Sequence, residues 1–198
     1  MDNNVPHWYG ETAQSIAPVG IIMAGFMLVY SIWFGFSWGI LGWILFGFTV
    51  LLSLFLIIKS VKHIKHSKRF IYNESEEGKK IGKAMGILSG ISYGALWLFV
   101  ILFLVFGLYK FIMPTVTFII GLHFIPQARI FNRKIDYFVA PLPISSSIIA
   151  YYFAIESNNS WSSVYAIAGI GGVLSTAIYG LYMIITYKNL AIKHGIDY

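Results

Sequence analysis

The stretch Ala84–Gly107 reads AMGILSGISYGALWLFVILFLVFG, and no charged residue interrupts the chain between Lys83 and Lys110. A run this long and apolar exceeds the roughly 20 residues a helix needs to cross the hydrocarbon core of a bilayer. Because a backbone in lipid must satisfy its own hydrogen bonds, the run is read as a helix and not as an open strand. Similar apolar segments flank it at 16–34, 40–58, 111–125, 137–155 and 164–187, separated by turn residues or charge. Six spans leave little of a 198-residue chain for a separate soluble domain. The expected fold is all-α: a bundle of six transmembrane helices over 16–187, with an interfacial segment at 1–15 and a tail at 188–198.

Composition points the same way. Hydrophobic residues make up 58% of the chain and charged residues 11%, with a mean hydropathy of +0.73, whereas soluble domains carry roughly 25% charged residues. The basic residues are also sorted by side. Lys59, Lys62, Lys65, Lys68, Arg69, Lys79, Lys80 and Lys83 follow the second segment, Arg129, Arg133 and Lys134 follow the fourth, and Lys188 and Lys193 follow the sixth; only Lys110 lies on the other side. Lysine and arginine collect in cytoplasmic loops, so a multi-pass protein of the cell membrane with both termini cytoplasmic is expected. The net charge of +6 then orients helices and calls for no nucleic-acid partner; the bilayer is the partner it implies. Residues 1–15 contain Asp2 and Glu11 but no lysine or arginine, unlike the basic start of a signal peptide, so the first apolar segment is expected to be retained.

Small residues recur every fourth position in two of the spans, as Gly82, Gly86, Gly90 and Gly94 and as Ala168, Gly172, Thr176 and Gly180, with a shorter series at Ser146, Ala150 and Ala154. Such stripes let helix backbones approach closely in lipid. Packing within the bundle is expected of them, with a second copy of the chain or another membrane subunit as the alternative partner. The segment Gly86-Ile87-Leu88-Ser89 with Tyr93-Gly94 also matches Gly172-Val173-Leu174-Ser175 with Tyr179-Gly180. A weak three-plus-three repeat of inverted topology, as in many transporters, would produce this pattern.

Residues able to carry chemistry are few. No acidic or basic side chain falls near the middle of a span, which argues against a buried-carboxylate proton pump and an arginine-rich voltage sensor. Cysteine is absent, which excludes disulfides and thiolate metal sites. His123 is the one histidine inside a span, so paired haem ligands cannot be assembled there; no metal or cofactor is expected. His63 and His66 lie among lysines and read as solvated interfacial residues. GISYG at 90–94 has the outline of a nucleophile elbow, but the sequence supplies it with no histidine or acid partner.

The most polar constellation is the end of the fourth segment, where His123, Gln127, Arg129, Arg133, Lys134 and Asp136 surround Pro126. If the helix continues through Pro126, His123 and Gln127 share a face. His123, Gln127 and Arg129, joined by Ser175 and Tyr179 of the last segment, are the candidate ligand pocket; Gly86, Gly90, Gly94, Gly172, Thr176 and Gly180 are the candidate packing positions. The function expected is non-enzymatic: a transporter or channel for a small solute, or the membrane subunit of a larger assembly. Two alternatives stand beside it, an intramembrane enzyme acting on lipid at the cytoplasmic leaflet and a regulatory or immunity protein that transports nothing. A polar cavity along the last three spans would favour transport, and a lateral opening beside His123 would favour lipid.

Overall fold

The structure, a computed structural model, describes residues 7–156 and 158–197. The chain is helical, with no strand among the described residues. Its elements are α1 (His7–Ile16), α2 (Val19–Ser67), α3 (Glu76–Val105), a 3-10 turn (Tyr109–Phe111), α4 (Ile112–Ile130), α5 (Lys134–Val139), α6 (Pro141–Ile155) and α7 (Trp161–Lys193). Five helical stretches are long and apolar enough to cross a membrane: Trp8–Ser67, Glu76–Val105, Tyr109–Ile130, Lys134–Ile155 and Trp161–Lys193.

The longest of these doubles back. At Trp38 (φ −110°, ψ 18°) and Gly39 (φ 56°, ψ −133°) the backbone of α2 leaves helical geometry, and the positive φ of Gly39 is one that glycine adopts without a Cβ penalty. The two arms then run antiparallel. Thr49 Oγ1 donates to Ser31 Oγ at 2.8 Å and Ser53 Oγ to the Ala24 carbonyl at 3.3 Å. Near the turn a Cβ on Gly42 would strike the Phe34 carbonyl, and one on Gly35 would meet the Trp43 ring at 2.6 Å. Small residues thus set how closely the arms approach.

Local signals explain the other helix ends. Ser75 caps α3 by accepting from the Gly78 amide at 2.9 Å, and Glu76 and Glu77 occupy its positive first turn. Gly107 (φ 70°) closes it, with the Leu108 amide returning to the Phe103 carbonyl at 2.8 Å. Pro126 lies inside α4, which continues to Ile130, so the proline does not end the helix. α5 and α6 are nearly continuous, because Ala140 between them keeps helical φ and ψ. Ser160 caps α7 by accepting from the Ser163 amide at 3.2 Å.

α7 sits at the centre, packed against α2, α6 and α4, while α3 lies outside and packs mainly on α4. A Cβ on Gly169 would meet the Tyr30 carbonyl at 2.6 Å, one on Gly172 would strike the Tyr30 ring, and one on Gly180 would meet Leu56 at 2.7 Å. On the α6 side Ser146 Oγ donates to the Ala168 carbonyl at 3.1 Å, and Ala150 and Ala154 are buried. By contrast, among the described residues nothing lies within 4 Å of a Cβ added to Gly82, Gly86, Gly90 or Gly94 of α3. The two matching segments therefore occupy unlike surroundings.

One end of the bundle gathers α1, the ends of α2, α4 and α7 and the start of α3. Gln14 Nε2 donates to the Phe70 carbonyl at 3.0 Å, Glu11 Oε2 accepts from the Ser75 amide at 3.2 Å, and the Trp8 ring lies 5.0 Å from that of His194. The opposite end joins the Gly39 turn to the 3-10 turn and the start of α7 through Ser37–Ser163 and Tyr165–Tyr109 hydrogen bonds. His63 and His66 belong to the first end and are not solvated: they are 1% and 7% exposed. His66 bonds the Tyr187 hydroxyl through Nδ1 and the Asp197 carbonyl through Nε2, both at 2.8 Å, and His63 stacks on Tyr187 at 4.1 Å. The expectation of solvated histidines failed because α2 runs to Ser67, nine residues past its apolar span, and keeps the face bearing Ser60, His63 and Ser67 against α7.

Candidate functional site

Between the first arm of α2 and α3 lies a cleft of about 280 Å³. One wall is Val19, Ile22, Met23, Phe26 and Tyr30, the other Met85, Ser89 and Tyr93. Its floor is α4 and α7, which contribute Ile120, His123, Phe124, Gln127, Thr176 and Tyr179. The walls separate because α3 packs on α4 and the 3-10 turn and makes no comparable packing with α2. At the end of the bundle that holds α1, the cleft reaches Ser15, Met85, Phe131 and Arg133, and these four residues also line a second, outer cavity of about 610 Å³. The two spaces therefore adjoin at these four residues.

A polar knot closes the floor at this junction. Gln127 Nε2 donates to Asp136 Oδ1 at 2.5 Å and to the Tyr179 hydroxyl at 3.1 Å, and Arg133 Nη1 donates to the same hydroxyl at 3.0 Å. Arg133 is turned back onto α7 by the end of α4. Asn132 takes φ 50°, and the Arg133 amide returns to the Ala128 carbonyl at 2.9 Å. Asparagine is among the few side chains that accept this conformation readily. The guanidinium lies 4.0 Å from the Phe131 ring centroid, and among the described residues no carboxylate oxygen comes within 4.0 Å of it. Asp136 is fully buried, and its Oδ2 has no hydrogen-bond partner among the described residues. Asp136, three residues on, interacts with the Arg133 charge from beyond that distance, and arginine presents its donors in a fork suited to carboxylate or phosphate.

His123 lines the cleft and its Nδ1 shares a hydrogen bond of 3.0 Å with Ser92 Oγ. The structure thus gives GISYG the histidine that the sequence did not reveal. The pair is a helix-to-helix tie. Ser92 is 8% exposed, is absent from the cleft lining and sits in the middle of α3, where the amides are committed to helical carbonyls. No strained elbow presents the hydroxyl, and no free amides are available to hold an oxyanion.

Of the sequence candidates, His123, Gln127 and Tyr179 come together around the cleft. Arg129 is exposed and takes no part. Ser175 is buried and donates to the Gly172 carbonyl of its own helix at 3.0 Å; its neighbour Thr176 lines the cleft instead. Arg133 and Asp136 complete the knot. Both stood in the polar constellation after Pro126, but spacing alone did not separate them from Arg129 and Lys134. Among the described residues no group of three or more histidine and acidic side chains is placed to hold a metal. No known protein family, characterised protein or solved structure matches the chain.

Proposed function

We propose that this protein crosses the cell membrane six times, with both termini cytoplasmic, and binds one amphiphile of the cytoplasmic leaflet: its chain between α2 and α3, its anionic group at Arg133. Six crossings follow if the arms of α2 each traverse the bilayer, as their antiparallel pairing supports. The cytoplasmic assignment rests on the positive-inside rule, because the Lys59–Lys83 region, the end of α4 and the end of α7 share one end of the bundle.

The observation that carries the reading is a mainly apolar cleft with separated walls that ends on Arg133, an arginine with no carboxylate oxygen within 4.0 Å among the described residues. Along α2 the lining runs from Val19 to Tyr30, about 16 Å at the helical rise. That is roughly half of a hydrocarbon core of about 30 Å, the depth of one leaflet. An aqueous path would have to continue across the whole thickness, whereas the lining ends at Tyr30, Tyr93, Ile120 and Thr176, about one leaflet deep. Lipid binding is therefore favoured over conduction of a solute.

The test is photocrosslinking in membranes with a lipid carrying a diazirine in its acyl chain. Adducts should concentrate on Met23, Phe26 and Ser89, on both walls of the cleft. Labelling no denser there than on Ile44 and Leu51, exposed residues of the second arm, would remove the proposal.

A further inference from the structure

The outer cavity carries a charge pattern opposite to that of its surroundings. Eight basic residues lie between Lys59 and Lys83, yet none of them lines it. Among the described residues its charged lining is Glu11 from α1, Glu74 before α3, Glu77 in the first turn of α3, and Arg133 at the inner boundary. α3 divides its own charges by face. Glu77, Gly78, Ile81 and Gly82 line the cavity while Lys79, Lys80 and Lys83 do not. Glu11 is fixed in place by its hydrogen bond from the Ser75 amide. Among the described residues neither Glu74 nor Glu77 has a lysine or arginine nitrogen within 4.0 Å; the ion pair of this region, Lys79 to Glu76 at 2.7 Å, uses neither of them.

The path from the bilayer outward therefore meets apolar walls, then one cation, then carboxylates. We infer that the site takes a zwitterionic phospholipid whose headgroup ends in an amine, with the phosphate at Arg133 and the ammonium among Glu11, Glu74 and Glu77. This rests on the reading of the cleft as an amphiphile site and specifies its ligand. A phospholipid whose head carries no amine, such as a phosphatidylglycerol, would lack the ammonium that answers the carboxylates, and a simple alkyl amine would set its charge against Arg133. Selection thus uses repulsion as well as attraction.

The experiment is a binding titration by native mass spectrometry of the protein in neutral detergent. It uses lysophosphatidylethanolamine and lysophosphatidylglycerol of equal chain length. The ethanolamine lipid should bind about tenfold more tightly, a difference of about one decade in the dissociation constant. The double variant Glu74→Gln, Glu77→Gln changes two exposed side chains and should abolish that preference, while Arg133→Gln should weaken both lipids. Equal or tighter binding of the glycerol lipid to the native protein would overturn the inference, as would a preference that survives the double variant. In either of those cases the amphiphile reading would stand; if neither lysolipid bound, that reading would fall as well.

Discussion

Two helices carry a small residue at every fourth position, and their surroundings differ completely. In α7 the ladder is filled: Gly172 lies under the Tyr30 ring and Gly180 against Leu56. In α3 the ladder Gly82, Gly86, Gly90 and Gly94 faces open space among the described residues. Sequence spacing creates a surface that another backbone could approach, but topology decides whether one does. α7 runs between the α2 hairpin and α6, whereas α3 has one substantial neighbour, α4. The cleft exists because of this asymmetry. A third neighbour for α3 on the α2 side would fill the space where we place the lipid chain.

The strongest break in the comparison is expected from Gly172→Leu. The Tyr30 ring is buried against Gly172, so overpacking should cost about 3 kcal/mol, the upper range for such changes. Thermal unfolding in detergent should show a large loss of stability or no folded protein. Gln127→Leu should act next, because Asp136 Oδ1 and Tyr179 would lose a common donor inside the bundle. Leaving buried polar groups unpaired costs about 1–3 kcal/mol, and the loss should be read from the same melting curve. Gly90→Leu should do least, changing monomer stability by less than about 0.5 kcal/mol as a surface substitution does. A larger loss of monomer stability would place part of this chain on that stripe, and a change in oligomeric state would identify a second copy there.

Much of the fold was legible because lipid is a simple solvent. A segment that must dissolve in hydrocarbon announces itself by apolarity, and the break at Trp38-Gly39 falls inside the gap between 34 and 40. The helix ends were less legible. Beyond the hydrocarbon a helix continues on packing and capping, so α2 carries His63 and His66 into the interior although their neighbours in sequence are lysines. The site was half legible for a related reason. The spacing of His123 and Gln127 placed them on one helical face, and both line the cleft. Their partners could not be read, since Ser92 and Tyr179 come from other helices, and Arg133 is selected over Arg129 by the backbone turn at Asn132. The stretch 86–94 and its counterpart 172–180 show the limit most clearly: similar residues, with the glycines of one set packed and those of the other open among the described residues.

The central claim is that the space between α2 and α3 holds a lipid chain. Ser89 is half-buried on the α3 wall, and Ser89→Trp would place an indole in the cleft without disturbing the α7 ladder. Native mass spectrometry of protein taken from membranes in mild detergent tests this directly, with a melting curve on the same samples. The account predicts one retained phospholipid on the native protein and none on Ser89→Trp, with the melting temperature of lipid-free protein little changed. A native protein without bound lipid, or a folded Ser89→Trp variant that retains it, would contradict the account.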